Sequence, residues 1–403
     1  MKRKVVITGM GCVSGLGIGV GETWRRAIEG EGAIRPIDRS GVQGQAAWIA
    51  PEDVSAAAAD LELRRLGRLD PLSLYALVAA AEAVEAAGLG DHPSLTERTA
   101  ILLGCGSPGN ATLDAAFERL YAKGLGKLHP QTIPSSMISA PASHLAMLFG
   151  VHGPTMVISS ACASSANALG EALHMIRGGR VEVAIAGGTE ACVSYGSWVA
   201  WHALGVVAPD TCRPFSRDRQ GLALGEGAAI LVLESEEHAV ARGAAILGEL
   251  AGYGASSDAA DMTAPDQDGI EAAIRAAHRD AGIAPDQPRL ISTHGTGTKL
   301  NDAVEAAAVR AVHGAGLEGS TVIATKSAHG HLIGGSGAVE FVIGMKALAE
   351  GLAPSVLNYL GPDPECGDLP LALAPQAIEH DTLVSNSFAF GGLNAVLIGR
   401  KQT

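Results

Sequence analysis

The sequence predicts an α/β fold in which a mostly parallel sheet is covered on both faces by helices. Short apolar runs alternate with helical patterns along the whole chain. The runs have no internal polar alternation, as expected for strands that are buried on both faces. Two segments, which start at Val157 and Val322, share one plan of apolar strand, polar turn and a helix that begins with small residues. This internal similarity predicts two similar halves.

Eight segments are predicted to be strands, because each is short, apolar and bounded by turn residues. In chain order they are KVVITGMG (4–11), RTAILLGCG (98–106), PTMVISSAC (154–162), VEVAIAGG (181–188), AILVLES (229–235), RLISTHG (289–295), TVIATKS (321–327) and HDTLVSNSF (380–388). The Ala-rich stretch 74–88 contains Glu82 and Glu85 and is predicted to be a packed helix of a soluble protein. We expect the two halves to be residues 1–242 and 243–403.

Composition excludes several classes of protein. The formal net charge of −13 over 403 residues argues against a general nucleic-acid-binding role. The six cysteines form no CxxC pair, which argues against a zinc site or a disulfide framework and favours a reducing, cytoplasmic compartment. The apolar stretch near the N-terminus ends at Gly9, so we expect no signal peptide, and no apolar run is long enough to cross a membrane.

A glycine-rich loop, GCGSPG at 104–109, matches the dinucleotide-binding fingerprint GxGxxG. The fingerprint belongs in the first βα unit and needs an acidic residue about 20 positions downstream. Here the loop lies about a hundred residues into the chain, and His129 occupies the downstream place. A nicotinamide or flavin enzyme is therefore disfavoured, and we interpret the stretch as a glycine loop that lines a site.

Residues able to carry chemistry follow several of the predicted strands. Cys162 lies between an apolar strand and a helix, where the helix start should make the thiol ionise more easily. His294 ends one strand, and Lys326 and His331 follow another. The segment SNSFAFGGLNAVL (385–397) closes a further strand with a Phe/Gly turn. Because the carboxyl ends of parallel strands gather at one edge, these turns predict a single site.

Together these segments resemble the elongating β-ketoacyl–acyl-carrier-protein synthases of the thiolase superfamily. The resemblance covers nearly the whole chain. It rests on SSACASS around Cys162, HGTGTKLND at His294, KSAHGH at Lys326, the FAFGG turn, and RPFSRDRQGLALGEGAAILVLE (213–234) between the halves. It implies a thiolase-like fold with an α/β/α/β/α layer arrangement, and an enzyme that extends an acyl chain by decarboxylative Claisen condensation with a malonyl carrier.

The resemblance also implies a role for each residue of the site. Cys162 is the nucleophile that holds the acyl chain. His294 and His331 donate hydrogen bonds to the enolate that forms when the malonyl group loses CO2. The charge of Lys326 orients and polarises the histidine region. Backbone N–H groups of Cys162 and Phe390 form the oxyanion hole, and Phe390 occupies the gating position.

The implied partner is an acidic acyl carrier protein that brings its own phosphopantetheine arm, so no cofactor or metal of the chain's own is expected. The basic side chains Arg64, Arg65 and Arg68 are predicted to contact this carrier. The loop 104–111 and the segment 132–150 are expected to line the acyl pocket or a dimer contact. Further contacts to the substrate or carrier are predicted for Thr296, Thr298, Gly391, Gly392 and Asn394.

Several alternatives stay open. The chain is expected to form a homodimer, but a heterodimer with a chain-length factor is possible. A non-catalytic chain-length factor would lack the cysteine, and degradative thiolases or initiating synthases pair Cys with a different residue set. His329 is expected behind the site or at the surface. Leu393 stands where the family often has Thr, which leaves open how that loop is held and which substrate class is used: fatty acid, polyketide or specialised lipid.

Overall fold

The computed structural model describes residues 2–39, 41–90, 92, 95 and 98–402. Its strands are β1 (Val5–Ser14), β2 (Gly17–Ile18), β3 (Arg35–Arg39), β4 (Val42–Ala46), β5 (Thr99–Gly104), β6 (Thr155–Ile158), β7 (Val183–Ala191), β8 (Glu226–Ser235), β9 (Gly248–Ser257), β10 (Leu290–Ser292), β11 (Thr321–Ile323), β12 (Leu352–Ala353), β13 (Gln376–Ala377), β14 (Thr382–Ala389) and β15 (Leu393–Lys401).

Helices separate most of these strands. They are α1 (Val20–Ile28), α2 (Pro51–Ala57), α3 (Pro71–Ala86), α4 (Asn110–Phe117), α5 (Thr132–Ser136), α6 (Ala140–Phe149), α7 (Ser164–Arg177), α8 (Tyr195–Ala203), α9 (Glu236–Ala241), α10 (Gln267–Ala281), α11 (Lys299–His313), α12 (Lys326–His329) and α13 (Ser336–Glu350). Short 3₁₀ turns at Ala161–Ala163 and Ile333–Gly335 precede α7 and α13.

The main sheet repeats one strand order. Its path is β11-β10-β14-β15-β9-β1-β8-β7-β5-β6. From the middle of the sheet outwards, the first half has the order β1-β8-β7-β5-β6 and the second half has the order β9-β15-β14-β10-β11. The two orders are equivalent, because β1, β5, β6, β7 and β8 correspond in chain order to β9, β10, β11, β14 and β15. The halves meet where Val6 pairs with Glu249 and Ile7 with Gly248. The predicted similarity of the halves is therefore present in the topology, while the exact boundary at residue 242 stays a prediction.

The helices form three layers around the two halves of the sheet. Helices α7 and α13 pack against each other and lie in the central apolar core, together with residues from both halves. Helices α3 and α6 cover the outer face of the first half. Helices α10 and α11 cover the outer face of the second half. The predicted α/β/α/β/α arrangement is confirmed.

The prediction of a mostly parallel sheet is wrong. In the first half β5 is parallel to β6 and β7, but β8 is antiparallel to both β7 and β1. The second half repeats this pattern, with β15 antiparallel to β14 and β9. The error has a physical cause, because strands buried on both faces are apolar throughout whichever way they run.

Within the residues that the structure describes, every helix is too short or too polar to cross a bilayer.

Candidate active site

Cys162 lies at the 3₁₀ turn that joins β6 to α7, and its side chain is buried. The preceding residue, Ala161, has a φ of +47°, in the left-handed region that non-glycine residues rarely adopt. Such a conformation costs on the order of 1–3 kcal/mol, and it persists at functional sites where the surrounding fold imposes it. Here it places the cysteine in the lining of a cavity of about 380 Å³.

His331 contacts the cysteine directly. Its Nε2 lies 3.1 Å from the Cys162 sulfur. On the other side of the ring, Nδ1 accepts the backbone N–H of Ile333 at 3.2 Å and lies 2.8 Å from the Ser336 hydroxyl. A backbone N–H can only donate, so the hydrogen-bond network assigns the ring proton of neutral His331 to Nε2. The imidazole therefore presents an N–H to the sulfur.

His294 is held by Lys326. The Lys326 amino group lies 3.2 Å from His294 Nδ1 and 2.6 Å from the His294 carbonyl oxygen, and it also donates to Glu340. These three acceptors match the three donors of an ammonium group. Because Nδ1 accepts, the proton of His294 is assigned to Nε2. The His294 and His331 rings are 5.4 Å apart and meet edge to face at 83°.

Two buried carboxylates support this arrangement, and sequence reasoning missed both. Glu305 accepts the backbone N–H groups of His294 at 2.7 Å and Gly295 at 2.8 Å. Glu340, on α13, pairs with Lys326 inside the core. The sequence could have predicted Glu305, because it lies on a helix that begins just after the HGTGT turn. A side chain there can reach back to the N–H groups of that turn. Glu340 lies in the apolar first part of α13, where an acidic residue suggests a buried partner.

Burial sets the protonation states. It lowers the pKa of His294 and His331 well below the ordinary value, and the positive charge of Lys326 lowers both further. Both imidazoles are therefore neutral hydrogen-bond donors at neutral pH. The expectation that Cys162 ionises more easily is wrong for the free enzyme, because burial raises its pKa to about 12. The nearby Lys326 charge and the backbone N–H groups of Phe390 and Cys162 oppose this effect without overcoming it.

Phe390 lies in the tight turn between β14 and β15. Its ring stacks on Trp201 of α8, with centroids 6.1 Å apart and planes tilted by 25°. Its backbone N–H faces the Cys162 sulfur. Gly391 and Gly392 follow with φ values of +81° and +67°, so the turn needs glycine at both positions. Sequence reasoning did not single out Trp201.

The cavity contains some of the predicted contacts and not others. Thr296, Thr298, Gly391 and Gly392 line it, together with Cys162 and both histidines. Asn394 does not; it is buried and donates to Asp258 at 2.6 Å, which ties the Phe390 turn to the end of β9. The predicted carrier contacts Arg64, Arg65 and Arg68 are exposed on the first half, outside the cavity lining.

Expectations from the sequence also concern residues 104–111 and 132–150, His329 and Leu393. Residues 104–111 and 132–150 do not line the described cavity, and whether they form a dimer contact stays a prediction. His329 is not at the surface: it is fully buried, and its Nε2 lies 3.0 Å from the Thr325 hydroxyl. It lies on α12, whose helical turn directs it away from the cavity. Leu393 begins β15 and pairs with Ser257.

A metal ion could in principle use the same atoms. The Cys162 sulfur and one nitrogen from each of His294 and His331 lie within 4.8 Å of one another, and sulfur and imidazole ligands are those that zinc prefers. However, each histidine presents its Nε2 as an N–H, and a metal ligand must be an unprotonated nitrogen. The expected absence of a resident metal stays a prediction.

Comparison with known proteins identifies the family. The N-terminal domain model of β-ketoacyl synthases matches residues 2–239, and the C-terminal domain model matches residues 247–360. The chain belongs to the β-ketoacyl synthase family. It is therefore a condensing enzyme of the acyltransferase class with a thiolase fold, as the motifs predict.

Its relatives match over their full length. Nodulation protein E of Rhizobium leguminosarum bv. trifolii is 40% identical over 401 residues, covering 100% of both chains. A 3-oxoacyl-[acyl-carrier-protein] synthase 2 of Synechocystis is 35% identical and covers 99% of this chain and 98% of its own. Among solved structures, the ishigamide ketosynthase/chain length factor superposes with a TM-score of 0.91 at 33% identity, covering 100% of both chains.

Proposed function

We propose that this β-ketoacyl synthase extends a carrier-bound acyl chain by two carbons, with Cys162, His294 and His331 as catalytic residues and Lys326 as a positioning residue. The observation that carries the proposal is the convergence of one thiol and two imidazole donors in the lining of one cavity. Each imidazole has its Nδ1 occupied by a donor, so both present an N–H to the same space.

In the first step, the Cys162 sulfur attacks the thioester carbonyl of an acyl carrier. The carbonyl oxygen takes negative charge, and the backbone N–H groups of Cys162 and Phe390 stabilise it. The carrier thiol then leaves with a proton, and the acyl chain stays on Cys162 as a new thioester. Binding of the carrier must offset the cost of forming a buried thiolate, since burial raises the pKa of this thiol.

In the second step, a malonyl carrier enters the same cavity. Its carbon–carboxylate bond breaks, CO2 leaves, and the bonding electrons form an enolate whose oxygen accepts from His294 and His331. The enolate carbon attacks the acyl carbon on Cys162, which releases the sulfur and gives a β-ketoacyl carrier. Neutral donors suit this step, because they stabilise the oxyanion and do not protonate the enolate carbon.

The partner in both steps is proposed to be an acyl carrier protein, a class that the name of the Synechocystis relative includes. The phosphopantetheine arm would enter the cavity past Thr296 and Thr298, whose hydroxyl oxygens lie 2.9 Å apart and line it. The basic side chains Arg64, Arg65 and Arg68 are proposed as carrier contacts on the outer surface. We propose that the reaction takes place in the cytoplasm.

A condensation assay tests this proposal. Purified enzyme is incubated with acyl carrier and malonyl carrier, and the β-ketoacyl carrier is measured by mass spectrometry. The wild-type enzyme should form product, and Cys162→Ala should form none and carry no acyl group. Cys366→Ala, which removes a buried cysteine outside the cavity lining, is the matched control and should stay active. Product formation by Cys162→Ala, or failure of the wild-type enzyme with carriers of several chain lengths, would contradict the proposal.

We further propose that the chain dimerises through an apolar surface on the first half. Strand β6 is at the edge of the sheet, and its Met156 is exposed. Apolar side chains are also exposed between α4 and α6, and α6 contacts β6. We define the edge surface by Phe117, Tyr121, Leu125, Leu128, Ile133, Met137, Met147 and Met156. The ishigamide structure pairs a ketosynthase with a chain length factor, so a second copy and such a factor are both candidate occupants. We favour a second copy.

Light scattering after size-exclusion chromatography tests the dimer. The chain expressed alone should have twice the mass of one copy, and Met156→Asp, which places a charge on the edge surface, should shift it to one copy. Leu373→Asp, at a more exposed apolar residue on the second half, should leave the dimer intact. A monomeric wild-type chain would contradict homodimer formation and favour a different partner subunit.

A further inference from the structure

Glu190 is a fully buried carboxylate that connects two parts of the active-site surroundings. It lies on β7. One of its oxygens, Oε2, accepts the backbone N–H of Gly106 at 2.8 Å and that of Gly334 at 3.0 Å. The other oxygen, Oε1, accepts the Ser107 hydroxyl. Glu190 therefore joins the glycine loop that follows β5 to the turn that follows His331.

The turn that Glu190 holds is strained. Ile333 has a φ of +42°, and a β-branched residue in the left-handed region is a genuine outlier. Its backbone N–H is one of the two donors to His331 Nδ1, beside the Ser336 hydroxyl. The next N–H along the chain, that of Gly334, is the one that Glu190 accepts. The hydrogen bond to Glu190 holds the peptide group between Ile333 and Gly334 in place. It therefore opposes rotation of the Ile333 backbone to an ordinary φ.

The two glycine segments approach each other too closely for side chains. A Cβ added to Gly334 would lie 2.2 Å from the Gly106 nitrogen. A Cβ added to Gly106 would lie 2.7 Å from Glu190 Oε2 and 2.8 Å from Ile333 Cγ2. The glycine loop that resembles a dinucleotide fingerprint thus has another use in this chain: it lets two backbones converge on one carboxylate.

We propose that Glu190 is a positioning residue for the Cys162–His331 pair. By holding the Gly334 N–H it keeps Ile333 in its strained conformation, which keeps the Ile333 N–H on His331 Nδ1 and the ring proton directed at the cysteine sulfur. The inference rests on the roles proposed for Cys162 and His331. It needs the hydrogen bonds of Glu190 and not its charge.

The charge has a separate and measurable effect. A negative Glu190 disfavours a second negative charge on the sulfur, and it is one of the causes that raise the pKa of Cys162. Burial raises the pKa of Glu190 itself to about 7. Glutamine can keep the two bonds that hold the turn without the charge, since its carbonyl can accept the Gly106 and Gly334 N–H groups and its amide can donate to the Ser107 hydroxyl. It gives up only the bond from the Ser107 backbone N–H.

The experiment compares Glu190→Gln and Glu190→Leu in the full-length enzyme. Two quantities are measured: the condensation rate, and the pH profile of Cys162 alkylation by iodoacetamide, followed on the cysteine-containing peptide. Glu190→Gln should keep the condensation rate within about threefold, and its alkylation profile should shift to lower pH. Glu190→Leu should lose condensation by on the order of a hundredfold, because the donor to His331 is misplaced. Glu226→Gln, a buried carboxyl paired with Arg39, is the control and should leave the alkylation profile unchanged.

Equal loss in the Gln and Leu variants, or full activity of the Leu variant, would overturn the proposal. If Glu190→Leu does not fold, the Gln variant decides by its rate, and a loss on the order of a hundredfold would overturn the proposal. Absence of condensation in the wild-type enzyme would count against the proposed function instead, and the alkylation profiles would still report on Glu190.

Discussion

At the scale of single residues, hydrogen-bond partners set the chemistry of the site more than the residue types do. His331 and His329 are two positions apart and both buried. One directs Nε2 at the cysteine sulfur, and the other directs Nε2 at the Thr325 hydroxyl. The motif identifies the reactive histidine of the pair, but it does not show the Ile333 and Ser336 donors that fix its tautomer.

Cys162 shows where residue-level reasoning from sequence fails. Its place at a helix start suggested an easily ionised thiol, and the structure gives the opposite direction for its pKa. The helix-end effect is usually worth 0.3–1 kcal/mol near the surface, up to about 2 kcal/mol when partly buried. Removing a thiolate from water in the core costs more than this. Burial could not be judged from the run of small residues around the cysteine.

The ring of Phe390 gives a residue-scale prediction. Phe390→Ala keeps the backbone N–H that faces Cys162 and removes the ring that stacks on Trp201. Condensation should fall by on the order of tenfold to a hundredfold, because the substrate thioester is less well confined beside the sulfur. The melting temperature should change little, since the side chain is only partly buried. Steady-state rates with several acyl chain lengths are the measurement, and rates equal to wild type for all of them would exclude a gating role.

At the scale of elements, all eight strands predicted from apolar runs are present, but the long strands β9 and β15 were missed, as were the short strands β2, β3, β4, β12 and β13. Strand β9 contains Gly248, Gly252 and Gly254, and glycine weakens a strand pattern. Its glycines serve close packing, because a Cβ at Gly254 would lie 2.3 Å from the Ala273 carbonyl of α10. Strand β15 was included in the Phe390 turn segment. Its antiparallel partner β14 comes just before that turn, so the pair forms a hairpin that the parallel prediction did not allow for.

The contact between α10 and α11 gives an element-scale prediction about pH. His278 and His313 meet there with ring centroids 5.2 Å apart. Among the described residues, neither ring nitrogen of His278 has a hydrogen-bond partner. Burial lowers the pKa of His278 to about 3 and that of His313 to about 4, and the charge of Arg289 contributes to both. Both histidines should be neutral in the folded chain at pH 6.

Because these folded-state pKa values lie below the unfolded value of 6.5, the unfolded chain binds more protons at mildly acidic pH. The free energy of unfolding should therefore fall as pH falls below 6.5. Each histidine contributes up to about 1.4 kcal/mol per pH unit in this range. His278→Leu should reduce this slope in urea titrations between pH 6.5 and 4.5. An unchanged slope would mean that His278 is already solvated in the folded state.

At the scale of the whole molecule, the repeat of strand, polar turn and helix explains why the site is where it is. The two segments that share this plan carry Cys162 and His331, and they start the central helices α7 and α13. Packing these helices against each other brings the two turns together. The sequence patterns around Val157 and Val322 predicted this similarity, and the motif resemblance predicted the layers. Glu190 could not be placed, because its partners Gly106, Ser107 and Gly334 come from distant parts of the chain.

The central claim is that the thiol and the two imidazoles serve different half-reactions. The most direct test measures acyl-enzyme by intact mass spectrometry beside release of labelled CO2 from malonyl carrier. His294→Ala and His331→Ala should each slow CO2 release by on the order of a hundred- to a thousandfold while Cys162 still becomes acylated, because the oxyanion hole for loading is made of backbone N–H groups. His329→Ala, at the neighbouring buried histidine, should leave both signals near wild type. Normal CO2 release by His331→Ala, or its loss in His329→Ala, would contradict the account.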